Sequence, residues 1–336
     1  MNNEPVRVGL NGFGRIGRNV FRAALESDAV DIVGINDVME DEEFEYLAKY
    51  DTVLGRCDGA SLDDGTLTVD GTDFEAGVFH ETDPSKLPWG ELDVDVAFEA
   101  TGIFRSHEDA SQHLEAGADK VVISAPPKGD EPVKQLVYGV NQDEYDGEDV
   151  VSNASCTTNS ITPVAKVLHQ EFGIEVGQLT TVHAYTGTQN LVDGPNSKPR
   201  RRRAAAENII PTTTGAAQAA TEVLPELEGK LDGMAMRVPV PNGSITEFVV
   251  NLESDVTAGD VNAAFEAAAE GEMEGVLGVT NDDIVSSDIL QQPYSTLVDL
   301  QNTNVVGGMT KVLTWYDNEY GFSNRMLDVA QHVHEY

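Results

Sequence analysis

Val6-Arg7-Val8-Gly9-Leu10-Asn11-Gly12-Phe13-Gly14-Arg15-Ile16-Gly17 is an apolar strand pattern that runs directly into a Gly-X-Gly-X-X-Gly turn. Gly12 permits a tight turn, Gly14 lets the backbone approach a pyrophosphate, and Gly17 lets the following helix sit close to the strand. Ile16, Val20, Ala23 and Ala24, with Phe21 beside them, recur on one face of that helix. A second strand pattern, Ile32-Val33-Gly34-Ile35, ends in Asn36-Asp37, twenty residues beyond Gly17. A carboxylate there can accept hydrogen bonds from an adenosine ribose. A lone glycine triplet is weak evidence and often marks an ordinary turn. Strand, turn, helix, strand and acid in this order predict a Rossmann-type dinucleotide-binding unit, with Gly12, Phe13, Gly14, Arg15, Ile16, Gly17, Asn36 and Asp37 at the cofactor. The next residues, Val38-Met39-Glu40-Asp41, add acid and no arginine. They would repel a ribose 2′-phosphate, so the expected cofactor is NAD rather than NADP.

Outward from this motif, Val94–Ala100 and Val121–Ser124 read as further buried strands, ending in Thr101-Gly102 and Ala125-Pro126-Pro127. Ligands of open α/β sheets gather beyond the carboxyl ends of strands, which places Thr101 and Ser124 near the cofactor crevice. Leu67-Thr68-Val69 and Gly77-Val78-Phe79 form a short β excursion, with Pro84 and Pro88 marking the loop after it. At 336 residues the chain exceeds the size at which one core stops growing, so two domains are expected.

The charge is unusual: 21 Lys and Arg against 58 Asp and Glu, a formal net of −37, with total charged content an ordinary 24%. Acids have displaced bases, and they are scattered through amphipathic segments instead of forming the like-charge blocks of a disordered tail. Such a surface repels itself in dilute buffer and is screened at molar salt, where the Debye length is about 3 Å. The pattern resembles that of proteins from salt-accumulating halophilic archaea. It disfavours a general nucleic-acid binder, which needs clustered Lys and Arg. Two cysteines make no disulfide framework, and neither a signal pattern nor a membrane-length apolar run is evident. A cytoplasmic location is expected, with no membrane partner and no metal.

One of the two cysteines lies in Ala154-Ser155-Cys156-Thr157-Thr158-Asn159, small hydroxyl residues just ahead of a helical pattern, Ile161, Val164, Ala165, Leu168 and Phe172, that Gly173 stops. An arbitrary cysteine is more often a small buried hydrophobe. Here small neighbours leave the sulfur open, and helix N-terminal N–H groups can hold both a thiolate and an oxyanion. Cys156 reads as a nucleophile, at or just before a helix start, with Pro163 expected in the first turn. Cys57 reads as a structural thiol. Of the candidate bases His80, His107, His113, His169, His183, His332 and His334, His169 lies in the helix after the cysteine. His332 and His334 lie in a C-terminal pattern that reads as solvated. His183 ends the strand-like Leu179–Val182 and leads into Ala184-Tyr185-Thr186-Gly187-Thr188-Gln189, which makes it the base of choice. Arg200–Arg203, Thr212-Thr213-Thr214-Gly215 and Arg237 supply guanidinium, hydroxyl and N–H groups suited to phosphate or another small anion. Salt bridging to the acidic surface is the plainer reading of any one arginine in that run.

Taken together, the chain resembles the phosphorylating glyceraldehyde-3-phosphate dehydrogenases of bacterial and eukaryotic type over essentially its whole length. The resemblance rests on Asn11–Arg18, Lys49-Tyr50-Asp51, Ser124-Ala125-Pro126, Ser155–Asn159, Thr181–Thr186, Pro211–Ala217 and Trp315-Tyr316-Asp317-Asn318-Glu319. It implies an α/β and α+β architecture: a Rossmann-type domain over 1–155, a mixed or antiparallel-sheet catalytic and tetramerisation domain over 156–320, and a C-terminal helix in 321–336, about Ser323 to Val333, packed back on the first domain. It further implies oxidation of glyceraldehyde 3-phosphate with inorganic phosphate in glycolysis, through a thiohemiacetal and a thioester on Cys156 with His183 as base. One anion site would comprise Thr186, Thr188 and Arg237, the other Ser155, Thr157, Thr214 and Gly215, and Asn318 would orient the nicotinamide carboxamide. The segment from about Leu191 to Arg203 is similar to the loop that lines a neighbouring subunit's cofactor site in a homotetramer, and Gly194-Pro195 is similar to its NAD-preferring form. Two departures stand out. Ser160 replaces a second cysteine that many relatives carry, and position 188 varies within the family. Erythrose 4-phosphate oxidation, an NADP-linked gluconeogenic enzyme, and a non-catalytic NAD-binding scaffold are the alternatives.

Overall fold

The computed structural model describes residues 4–336. These divide into two compact units. The first runs to Tyr138 and adds Gln142–Ser155 and Ser323–Tyr336; the second holds Gly139–Asn141 and Cys156–Phe322.

The first unit is built on a nine-stranded sheet. From edge to edge its strands are Lys134–Gln135, Val150–Ser152, Lys120–Ile123, Val96–Glu99, Val6–Asn11, Val30–Asn36, Glu75–Phe79, Thr66–Val69 and Ala60–Asp63. The run from Lys134–Gln135 to Glu75–Phe79 is parallel throughout, and the last two strands extend it antiparallel. The short excursion expected from residues 67–79 therefore joins the main sheet. Strand order reverses at Val6–Asn11, which lies between Val30–Asn36 and Val96–Glu99. That reversal is where a doubly wound sheet opens a crevice at its carboxyl edge. Glycines make the packing possible on one face: a Cβ at Gly9 would lie 2.9 Å from the Trp89 ring, and one at Gly34 would lie 3.0 Å from it. Trp89 is fully buried there, in a core with Val33, Val94, Val121 and Ile123.

The second unit carries a seven-stranded mixed sheet, ordered Ile210–Thr213, Leu231–Val238, Ile174–Ala184, Ser244–Leu252, Met309–Tyr316, Thr296–Val306 and Leu277–Thr280. The helix Cys156–Phe172 packs across it and against the helices Ala216–Val223 and Ala258–Ala269. Ile161, Val164, Ala165 and Leu168 are fully buried, as their helical spacing predicts.

Three expectations need correction. Pro163 is the eighth residue of its helix, not part of the first turn, because the helix already begins at Cys156. Ala154, in the left-handed region with φ 55°, turns the chain out of the strand Val150–Ser152 just before it, at a cost of about 1 kcal/mol. The C-terminal helix spans Tyr320–Glu335, longer than Ser323–Val333, because the Asp317 carboxylate accepts from the Glu319 and Tyr320 N–H groups at 2.8 Å and starts it early. His332 is half-buried rather than solvated: its Nε2 donates to the Gln142 carbonyl at 2.8 Å and its ring meets Tyr145 edge-on. Among the described residues, no helix is long and apolar enough to cross a membrane, and no group of three or more His, Cys, Asp or Glu is placed to hold a metal ion.

Candidate active site

In the second unit, the strand Ile174–Ala184 runs parallel to Leu231–Val238 in a register that sets His183 directly beside Arg237. Cys156, the first residue of its helix, places Sγ 3.5 Å from His183 Nε2. His183 Nδ1 lies 2.7 Å from the Ala184 carbonyl. A carbonyl can only accept, so Nδ1 carries the proton and Nε2 turns its lone pair to the sulfur. Arg237 Nη1, 3.1 Å from Nδ1, donates to the same carbonyl at 2.9 Å and reaches Thr186 Oγ1 at 3.5 Å. Thr186 and Thr188 share a hydrogen bond at 3.0 Å. Cys156, His183, Thr186, Thr188 and Arg237 thus form one connected group.

Electrostatics follow from burial and cations. Burial pushes the Cys156 thiol up, while Arg237 and the hydroxyl and N–H of Thr157 pull it down without reversing the shift. Burial, and then the charges of Arg237 and Arg201, push His183 down to about 3. Either charge alone is therefore opposed. Moving the thiol proton to Nε2 forms thiolate and imidazolium together at 3.5 Å, where each offsets the other's desolvation.

Sequence reasoning missed the roles of Tyr316, Thr181 and Ser244, and named Arg201 only as one of the run 200–203. The Tyr316 hydroxyl bonds Thr181 Oγ1 at 2.7 Å and Thr157 Oγ1 at 3.0 Å, and its ring meets His183 edge-on. Burial pushes its phenol up to about 12, so it stays protonated and ties the nucleophile's helix to the base's strand. The Thr157 hydroxyl, expected at an anion site, is turned towards Tyr316. The alternation of strand Met309–Tyr316, which buries Thr310, Val312, Thr314 and Tyr316, was the available signal. Arg201 donates through Nε to Thr212 Oγ1 at 3.2 Å. Its effect on His183 singles it out from the run 200–203. Ser244 Oγ accepts the Ala184 N–H and donates to Asn318 Oδ1 at 2.7 Å, fixing the amide of Asn318. Thr214 and Gly215 lie at the start of helix Ala216–Val223, where Thr214 Oγ1 accepts the Ala216 N–H. Ser155 immediately precedes Cys156, half-buried.

The first unit has a separate cleft of about 350 Å³ at the switch point, lined by Asn11, Gly12, Gly14, Asn36, Asp37 and Thr101 among others. Gly12 has φ 101°, and a Cβ on Gly17 would lie 1.9 Å from the Gly12 carbonyl oxygen. At Gly14 a Cβ would meet nothing within 4 Å, so its backbone is open to a ligand. Phe13 is a core residue stacked on Phe44 at 4.2 Å, and its N–H is held by the Asp37 carboxylate at 2.7 Å. Val38 (67% exposed) and Ile103 (72% exposed) are apolar groups at the cleft, suited to the faces of an adenine. Arg15 does not face the cleft freely; it pairs with the buried Asp51 carboxylate. Burial raises the Asp51 carboxyl, yet the Leu54 and Val53 N–H groups and Arg15 hold it below its usual range. Ile16 is half-buried on the helix, and Ser124 closes its strand by donating its N–H to the Glu99 carbonyl at 2.9 Å. The open glycine backbone, the acid and the apolar flanks fit a dinucleotide.

Residues 6–107 match the family model described as the glyceraldehyde 3-phosphate dehydrogenase NAD binding domain, and residues 155–318 match the one described as the C-terminal domain. Over 335 residues, all of both chains, the sequence is 83% identical to the glyceraldehyde-3-phosphate dehydrogenase of Haloarcula vallismortis, a halophilic archaeon. It is 52% identical over 332 residues to that of Geobacillus stearothermophilus and 54% identical over 334 residues to that of Streptomyces coelicolor, with 98% of each chain covered in both cases.

Proposed function

The chain belongs to the glyceraldehyde 3-phosphate dehydrogenase family, and from that premise we propose that Cys156 and His183 carry its chemistry through a covalent acyl-enzyme. As a member it is an NAD-dependent phosphorylating aldehyde dehydrogenase of glycolysis. The observation that carries the mechanism is the Nε2 lone pair of His183 facing Cys156 Sγ at 3.5 Å beside the Arg237 guanidinium.

The sulfur attacks the aldehyde carbon of glyceraldehyde 3-phosphate, and the Cys156 N–H at its helix start steadies the oxyanion. His183 takes the hydroxyl proton of the resulting thiohemiacetal as the aldehydic hydrogen leaves with its electron pair. NAD, when bound, supplies the acceptor for that hydride. The thioester left on Cys156 is cleaved by inorganic phosphate, which releases the acyl phosphate and restores the thiolate. Arg237 with Thr186 and Thr188 holds one phosphate; Ser155, Thr157, Thr214 and Gly215 hold the other, with Arg201 adding charge. Asn318, its amide fixed through Ser244, holds the carboxamide of the nicotinamide. Asp37 with the turn Gly12–Gly17 holds the adenosine and pyrophosphate, and Asn36, Thr101 and Ser124 complete that crevice. We further propose a cytoplasmic homotetramer whose subunits join through the second domain, as the family resemblance implies.

Thiol labelling tests the mechanism. Both cysteines are free and half-buried, so access alone does not separate them. Cys156 should alkylate far faster than Cys57 and be protected by glyceraldehyde 3-phosphate. Equal, slow labelling of both would overturn the role given to Cys156.

A further inference from the structure

Beneath the cofactor cleft lies a fully buried pair that the mechanism does not use, Glu99 and His113. Glu99 ends the strand Val96–Glu99 and faces four donors. Its Oε2 accepts from Asn11 Nδ2 at 2.7 Å and lies 3.3 Å from His113 Nε2. Its Oε1 accepts from the Thr101 N–H at 2.9 Å and from the Thr101 hydroxyl. The His113 proton is located by Trp89, whose indole N–H donates to Nδ1 at 3.0 Å and leaves the ring proton on Nε2. Every partner of Glu99 donates, so the group is used as a carboxylate.

The consequence runs along the floor of the cleft. With its amide nitrogen turned to Glu99, Asn11 presents Oδ1 to Asn36 Nδ2 at 2.7 Å. Asn36 Nδ2 also donates to the Glu81 carbonyl, and Asn36 Oδ1 accepts the Glu81 N–H at 2.8 Å. Reversing any one amide would set donor against donor or acceptor against acceptor at the next. Thr101, its hydroxyl proton committed to Glu99, accepts the Ile103 N–H at 3.0 Å and fixes the loop beyond the strand.

We propose that Glu99 is a positioning residue for NAD: one buried carboxylate sets the donor direction of Asn11, Asn36 and Thr101, which line the cleft, and thereby preorganises the turn, the Asp37 strand end and the 101–103 loop. This rests on reading that cleft as the cofactor site, so the test carries a control for it.

NAD affinity of the purified enzyme in molar KCl is measured by calorimetric titration for wild type, Asp37→Gly, Glu99→Gln and the double variant Asn11→Asp/Glu99→Gln. Glu99→Gln turns an amide N–H onto a donor and should weaken NAD on the order of tenfold, the scale of one buried unsatisfied group. The double variant moves the carboxylate to position 11, where it accepts from the introduced amide at position 99 and from Asn36, and faces His113 Nε2, 3.5 Å from the native amide nitrogen. It should recover most of the affinity. A merely structural carboxylate would lower the melting temperature of Glu99→Gln and leave NAD affinity unchanged, which overturns the proposal. A double variant as weak as Glu99→Gln overturns the directional account. Unchanged affinity in Asp37→Gly overturns the reading of the cleft, and the proposal with it. Should both Glu99 variants fail to fold, selective 15N labelling of histidine in the wild type decides: a proton on His113 Nε2 is expected, and one on Nδ1 contradicts the network.

Discussion

The two units provide for negative ligands by opposite means. In the first, the cleft at the sheet's switch point offers backbone N–H groups and open glycine positions, and its polar side chains are amides, threonine hydroxyls and the acids Asp37 and Glu81, with no cation among them. In the second, the group around Cys156 gathers guanidinium and hydroxyl side chains, Arg237, Arg201, Thr186 and Thr188. In a chain with 21 basic residues against 58 acidic ones, a cleft whose open positions are glycine backbone could take a dinucleotide without spending cations. A phosphate bound next to a thiolate has no such alternative. Arg237 and Arg201 supply charge in that group, while other arginines pair with acids elsewhere, as Arg15 does with Asp51.

Breaking the second site should cost most. Cys156→Ser should abolish oxidation, by at least about 10⁴-fold, since a hydroxyl in the same place is a far weaker nucleophile. NAD binding, measured by titration, should persist because the cleft belongs to the other unit. Arg237→Gln removes the charge-assisted contacts to Thr186 and the Ala184 carbonyl. A loss on the order of a hundredfold in kcat/KM for glyceraldehyde 3-phosphate is expected. Retention of wild-type kcat/KM would show that the cation is dispensable.

The first site should respond differently. Asp37→Gly leaves the Phe13 N–H without its carboxylate and should weaken NAD by about tenfold while relaxing discrimination against NADP. An unchanged cofactor preference would remove the ribose role from Asp37. A further effect is on stability, through pH. His183 has a native pKa of about 3 against an ordinary 6.5, so the unfolded chain binds the extra proton first as pH falls. The stability contributed by the neutral ring is complete above about 6.5 and is lost on the way down to about 3. Denaturant midpoints at pH 7 and pH 5 in molar KCl should show His183→Asn losing about 2 kcal/mol less than wild type over that interval.

The first unit was more legible in sequence than the second. Glycines at 12, 14 and 17, strand periodicity and an acid at the right remove are local signals. They pointed to the sheet and to a crevice beyond the carboxyl ends of its strands. The register that sets His183 against Arg237 is a pairing between strands more than fifty residues apart, and no local pattern encodes it. Tyr316 escaped because its role depends on two hydroxyls from different elements, Thr157 and Thr181. The start of the Cys156 helix was nearly readable. A left-handed non-glycine residue, Ala154, set its first turn and displaced Pro163 inward, and nothing in the identity of an alanine announces that conformation.

The measurement closest to the central claim is NADH formation from glyceraldehyde 3-phosphate and NAD in molar KCl, with and without inorganic phosphate. A thioester on Cys156 that only phosphate discharges predicts sustained turnover with phosphate and little more than one turnover per active site without it. Sustained turnover in the absence of phosphate would show hydrolysis to the free acid and contradict the phosphorolytic route.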